Sequence, residues 1–302
     1  MRLVTVQHAD GLRVGVSRGG FYALLPIGGG DMVDWIARGR ASIEAAAAAT
    51  TEQVSCAEAR LCAPIQRFGR DVLCTGWNYW DHFEESRGKR EGQDVDRPKA
   101  PTFFTKSPYV AAGPHDDIGL DPYVSAKWDY EAEIGLVIGR KCRNVPVDRA
   151  EQVIFGYFLA NDVSVRDLQR RHGGQWLKGK SIDGSMPFGP EIVTPEELGD
   201  LGEIRLEFLL NGKRLQDASV KQMAFSIPEL VAELSFGMTL MAGDILLTGT
   251  PAGIGNAREP AVFLKPGDEM IVRATGLGEL KNRVVLADLH ESSDVPAWED
   301  RP

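Results

Sequence analysis

Two glutamates one residue apart, Glu131 and Glu133, are followed in this chain by Asp162 and then by Lys180. Carboxylates in such numbers repel one another and resist burial unless a cation neutralises them. A hard divalent ion such as Mg²⁺ takes oxygen ligands of this kind and usually keeps some waters for exchange with substrate. Mn²⁺ accepts similar ligands. Glu131, Glu133 and Asp162 are therefore the candidate metal ligands, with Lys180 sent toward the same place. The chemistry to expect is that of a metal-dependent enzyme.

The elements that must position these residues are strands. From Tyr130 to Ile138, strand alternation sends Ala132, Ile134, Leu136 and Ile138 to one face. Glu131 and Glu133 then share the other face, close enough to chelate one ion. Taken alone, such alternating charge reads as the solvated face of an edge strand. Gly156 to Val163 is a nearly continuous apolar run that ends in Asn161 and Asp162. It predicts a buried strand delivering Asp162 at its carboxyl end, which favours the metal centre.

Composition narrows the class. A chain of 302 residues can bury a substantial core, and one large domain with a smaller appendage fits that length. The formal net charge of −9 argues against a nucleic-acid or membrane-surface partner, although a local Lys/Arg cluster can still receive an anionic substrate. There is no apolar run long enough for a transmembrane helix, and Met1 to His8 lacks the stretch of a secretory signal. Cys56, Cys62, Cys74 and Cys142 show no CxxC spacing. A reduced, cytoplasmic protein is expected.

Along the chain, residues 1–67 differ in character from the rest. Short strand-like pieces, including Leu12 to Val16, lead through Gly28-Gly29-Gly30 to a helix expected from Met32 to Ala49 with Asp31 as N-cap. Residues 68–291 are strand-rich and form the expected catalytic domain. Ile204 to Phe208 alternates, Asn211-Gly212 signals a hairpin turn, and Ser226-Ile227-Pro228-Glu229 is a capping box opening a helix to about Phe236. Strands follow at Asp244 to Thr248 and Glu269 to Ala274, and residues 292–302 form a polar tail.

Several blocks in this order resemble the fumarylacetoacetate hydrolase family. They are Gly76-Trp77-Asn78-Tyr79-x-x-His82-x-x-Glu85, Pro101 to Lys106, Asp129-Tyr130-Glu131-Ala132-Glu133, Asn161 to Gln169, Gln175 to Ser181, and Gly243 to Gly253. Any one block is weak, but their order over some 200 residues, roughly 68 to 286, is specific. The resemblance implies a β-rich α+β fold, a mixed β-sandwich-like roll with a small N-terminal α/β domain, assembled as a homodimer. It implies Mg²⁺ or Mn²⁺ on Glu131, Glu133 and Asp162, and a small diketo or oxo acid as substrate. It also implies that Lys106 and Thr250 line the substrate pocket, to which Tyr79 of the first block is assigned, while Arg166 and Gln169 are set on the substrate side by their helical spacing after Asp162.

The expected reaction is hydrolysis of a C–C bond in an acylpyruvate-type acid. The ion acts as a Lewis acid for charge developing on an enolate oxygen. His82 and Glu85, three apart on a short helix, face the same way, so the carboxylate can orient an imidazole that takes a proton from water. Lys180 supplies fixed positive charge, unless Asp183 holds it in a salt bridge. Arg166 suits a substrate carboxylate, or else pairs with Asp167 or another acid. Trp77 and Trp80 enclose a substituent or pack the core, and Ser86 to Lys99 reads as a solvated loop or a lid. Isomerase, hydratase and decarboxylase reactions use the same scaffold, and a catalytically silent dicarbonyl-binding protein is the reading from another class.

Overall fold

The computed structural model describes residues 1–89 and 95–290. Among these, twelve strands form one sheet. Its main path runs Gln53–Ser55, Phe21–Leu24, Gly11–Arg18, Arg2–His8, Met186–Val193, Ile154–Asn161, Ala132–Ile138, Ile245–Leu247, Val72–Gly76 and Thr102–Lys106. A second sheet of five runs Lys213–Ser219, Arg205–Leu210, Glu269–Ala274, Gly278–Leu286 and Ile118–Leu120. The strand-rich α+β architecture expected from the sequence is present. The N-terminal strands keep a small core of their own around Val4, Val6, Tyr22 and Leu24, while Arg2–His8 pairs antiparallel with Met186–Val193 and so extends the large sheet.

The Ala132–Ile138 strand shows why two glutamates can be held away from water. It lies between Ile154–Asn161 and Ile245–Leu247, antiparallel to both, and every residue in it is buried. Ala132, Ile134, Leu136 and Ile138 enter a core shared with Leu206, Phe208 and Val272 of the second sheet and Leu230 of the Ile227–Ser235 helix. On the opposite face Val137 joins Trp35, Ile36 and Ile43 from two N-terminal helices. Each large apolar side chain buried in this way contributes about 1.5–3 kcal/mol. The strand is therefore central, and the solvated-edge alternative fails for Glu131 and Glu133. Gly135 is where the central strand meets Phe158: a Cβ there would lie 2.2 Å from the ring.

Local signals hold with one correction. Asp31 caps a helix through a capping box, but the expected Met32-to-Ala49 helix is two helices, Met32–Arg38 and Arg40–Ala49. Gly39, at φ 84°, breaks the ladder between them, a conformation glycine adopts without a Cβ penalty. Asn211 and Gly212, both at positive φ, turn the hairpin between Arg205–Leu210 and Lys213–Ser219. Ser226 and Glu229 form the expected capping box of Ile227–Ser235. The tail from Ser292, and Arg90 to Asp94 of the Ser86-to-Lys99 segment, lie outside the described residues.

Candidate active site and metal centre

The three acids meet because two adjacent strand ends are pinned together. Asn161 lies opposite Ala132 in the ladder, its side-chain oxygen accepts from the Glu131 N–H at 2.9 Å, and the Asp162 N–H donates to the Glu131 carbonyl at 2.8 Å. Glu131, Glu133 and Asp162 each offer a carboxylate oxygen, and these oxygens lie within 4.8 Å of one another in a buried group. The turn after Ile245–Leu247 closes the far side: the Gly249 N–H donates to Glu133 Oε2 at 2.7 Å. Gly249 needs its freedom there, with φ 93° and the Asn78 side chain at 2.9 Å from a would-be Cβ.

Cations are placed on the same carboxylates. The short helix Leu177–Lys180 brings Lys180 Nζ to Glu131 Oε2 at 2.6 Å and Asp162 Oδ2 at 2.7 Å. Lys106, fully buried at the end of Thr102–Lys106, binds Asp162 Oδ1 and donates to the Val163 carbonyl at 3.2 Å. Arg166, opening the Arg166–Arg171 helix, pairs with Asp129 at 2.8 Å and Glu131 at 2.7 Å and donates to Gln169 Oε1 at 3.0 Å. Burial alone would raise the Glu131 carboxyl, yet Lys180, Arg166 and His82 hold it at about 2. Glu133 goes the other way. Its burial and the neighbouring charges of Asp162 and Glu131 push it well above the usual carboxylate range.

Across the cavity stands the His82–Glu85 pair. Both lie on the helix Trp80–Glu85, and His82 Nδ1 is 2.9 Å from Glu85 Oε1. Glu85 Oε2 accepts from the Gly253 N–H at 2.7 Å, so this carboxylate is fixed from two sides. Glu84, the competing partner, faces Arg87 and Arg97 instead. The cavity has about 560 Å³ of empty space, part of it open to solvent, and His82, Glu131, Glu133, Arg166, Gln169 and Lys180 all line it.

Thr250 also lines the cavity, but its hydroxyl donates to the Ala132 carbonyl at 3.0 Å and accepts from Gln216 at 2.8 Å. Tyr79 and Lys106 do not appear in the cavity wall. The Tyr79 hydroxyl is buried and finds no hydrogen-bond partner among the described residues, and burial together with the Glu133 charge raises its pKa. Lys180 is held by Glu131 and Asp162 rather than by Asp183, and Arg166 by Asp129 and Glu131 rather than by Asp167. Trp77 lines the cavity at φ 56°, edge-on to Trp176 at 4.9 Å, whereas Trp80 packs against Phe83 and Phe225.

With this geometry in place, a profile of the family described as Fumarylacetoacetate (FAA) hydrolase C-terminal matches residues 71–285. The chain belongs to the fumarylacetoacetate hydrolase family. Among its relatives, oxaloacetate tautomerase YisK of Bacillus subtilis is 39% identical over 230 residues, covering 76% of this chain and 74% of that one. The fumarylacetoacetate hydrolase structure from Exiguobacterium antarcticum superposes with a TM-score of 0.80 at 34% identity, over 95% of this chain and 100% of that one. Maleylpyruvate hydrolase from Sphingobium sp. SYK-6, solved with manganese(II) and pyruvate, gives 0.76 at 27% identity, with the same shares covered.

The donor set fits a divalent ion such as the manganese(II) in the maleylpyruvate hydrolase structure. Glu131, Glu133 and Asp162 bring three buried carboxylates within 4.8 Å of one another, and burial with their mutual repulsion pushes Glu133 well above the usual carboxylate range, a strain that a divalent ion there would relieve. All-oxygen carboxylate donors suit Mg²⁺ or Mn²⁺.

Three buried side chains that hold the site of this family member were not singled out from sequence. Asn78 donates to the Thr248 carbonyl at 2.9 Å, tying the His82 segment to the glycine turn. Gln216 accepts from the Ala132 N–H and donates to Thr250 and Pro251. Asp129 bonds Arg166 and the Gly255–Ala257 turn. Asn78 and Asp129 lie inside blocks quoted for the resemblance, which was the available signal. Gln216, 84 residues from its partner Ala132, had none.

Proposed function

We propose that this chain is a divalent-metal-dependent enzyme that converts a short 2-oxo acid through its enolate, with His82 moving the proton and Glu85 orienting it. The observation that carries the proposal is the buried Glu131–Glu133–Asp162 group, two of whose members, Glu131 and Glu133, line one cavity with His82. When bound there, the ion supplies Lewis-acid stabilisation of negative charge on the substrate oxygens. Lys180 adds fixed positive charge beside Glu131 and Asp162. Glu85 selects the imidazole tautomer that carries its proton on Nδ1, which leaves Nε2 as the base. Gln169 and Arg166 orient the substrate carboxylate from the helix side of the cavity, Thr250 lines its wall, and Lys106 holds Asp162 from outside it.

In its smallest form this chemistry is keto–enol tautomerisation, and similarity to an oxaloacetate tautomerase over three quarters of the chain supports oxaloacetate as the first substrate to try. The second reading adds an attacking water and hydrolyses an acylpyruvate-type acid at a C–C bond. It is favoured by the two-sided fixing of Glu85, which suits a base that must activate water, and by the similarity to maleylpyruvate hydrolase. One experiment tests both. EDTA-treated protein with Mg²⁺ or Mn²⁺ restored is given enol-oxaloacetate, followed by absorbance, and acetylpyruvate, with products identified. Metal-dependent loss of the enol without CO₂ release supports tautomerisation, and acetate plus pyruvate supports hydrolysis. Neither reaction under any metal would sink the proposal.

A further inference from the structure

Asp129 is fully buried, and every contact it makes belongs to the frame of the site. Its Oδ1 accepts from the Tyr130 N–H at 2.9 Å and the Gly255 N–H at 2.7 Å. Its Oδ2 accepts from the Asn256 N–H at 3.0 Å and from Arg166 Nε at 2.8 Å. Those partners lead in two directions. Arg166 continues to Glu131 at 2.7 Å, one of the acids of the metal centre. The 253–256 loop continues to Glu85 through the Gly253 N–H at 2.7 Å, and Glu85 to His82 at 2.9 Å. The loop has little slack: a Cβ on Gly253 would sit 2.1 Å from the Leu215 carbonyl oxygen, and one on Gly255 1.8 Å from that of Val262.

We propose that Asp129 is a positioning residue that sets the imidazole of His82 relative to the metal-centre carboxylates, by fixing the 253–256 loop and Arg166 with one side chain. This rests on the reading of His82 as the proton-transfer group. A carboxylate is needed because all four partners are N–H donors, and an acceptor-only group is the one side chain that satisfies them together. An asparagine of the same shape would turn an N–H₂ group toward at least one of those donors. It would also leave Arg166 without its buried counter-charge.

The test is the holoenzyme with Asp129→Asn, Glu85→Gln and the double variant, assayed on whichever substrate the wild type turns over. Mn²⁺ affinity and melting temperature are read in parallel. Losing an outer-shell partner of this kind predicts a fall in kcat at saturating Mn²⁺ of roughly 10–100-fold. Because Asp129 acts through Glu85, the double variant should be about as slow as the slower single, rather than the product of the two losses. Multiplying losses, or a kcat near wild type in Asp129→Asn, would overturn the proposal.

If Asp129→Asn does not fold, the same coupling is read between Arg166→Gln and Glu85→Gln, which communicate through Asp129. Additivity there overturns the proposal equally. A readout without turnover separates failure of this inference from failure of the proposed reaction. Asp129→Asn should speed hydrogen exchange at the Gly253 amide by about tenfold relative to the Ala132–Ile138 amides, since Gly253 loses a locally held loop. Unchanged exchange at Gly253 would reject the positioning role even in a protein with no detectable activity on the substrates tried.

Discussion

At the scale of single residues, the site is a charge problem solved by partners. Glu131 stays ionised beside Lys180 and Arg166, Glu133 is pushed toward its neutral form by burial and by the charges of Asp162 and Glu131, and a bound divalent ion would relieve that repulsion. Asp162→Ala should therefore abolish metal binding and turnover together, and would also leave Lys106 buried without its carboxylate. Isothermal titration with Mn²⁺ checks the first point; wild-type affinity in this variant would remove Asp162 from the metal centre. His82→Ala should bind metal normally but lose about two orders of magnitude or more in rate, the scale for a missing general base. Steady-state kinetics at saturating metal decide it, and a wild-type rate would leave His82 with a packing role.

At the scale of elements, precision comes from close approach. The Ala132–Ile138 strand passes Phe158 so tightly that Gly135→Ala should destabilise the fold by about 1–3 kcal/mol through overpacking. Urea denaturation is the measurement, with no loss expected for an alanine at an open site such as Gly174. The helix Arg166–Arg171 and the helix Leu177–Lys180 also meet through a glycine: a Cβ on Gly179 would lie 2.2 Å from the Gln169 backbone nitrogen. That contact sets where Lys180 and Gln169 stand relative to each other. Asn78→Ala should slow turnover more than it lowers stability, because Asn78 joins the His82 segment to Thr248 beside the Glu133 turn. Comparing kcat with the melting temperature of the metal-free protein distinguishes the two effects.

At the scale of the whole molecule, the acids are buried where two cores meet on one central sheet, and folding alone must hold them together. Metal should then stabilise the native state by mass action, by about 2.7 kcal/mol at a hundredfold excess over Kd. For a chain of this size that is roughly 4 °C in Tm, lost on EDTA treatment and visible by differential scanning fluorimetry. Among the described residues no helix is long and apolar enough to cross a membrane. The homodimer implied by the family resemblance predicts a sedimentation mass near twice the chain's 33.0 kDa. A monomer at working concentration would set that expectation aside.

Chain order and side-chain chemistry by themselves determined the carboxylate trio, the His82–Glu85 spacing, the caps at Asp31 and Ser226 and the Asn211-Gly212 turn. Each of these is a local matter of periodicity, hydrogen-bonding valence or allowed backbone dihedral, written within a few residues. Tertiary structure decided which side of each charge was used. Only the pairing of Ala132 with Asn161 and the cover of both sheet faces made the Glu131 strand central. Only the fold turned Arg166 toward Asp129 and Glu131, and brought Gln216 and Gly253 to the site from far along the chain. The physical reason is that burial and long-range hydrogen bonds depend on what lies opposite in space, and no local pattern of residue types carries that information.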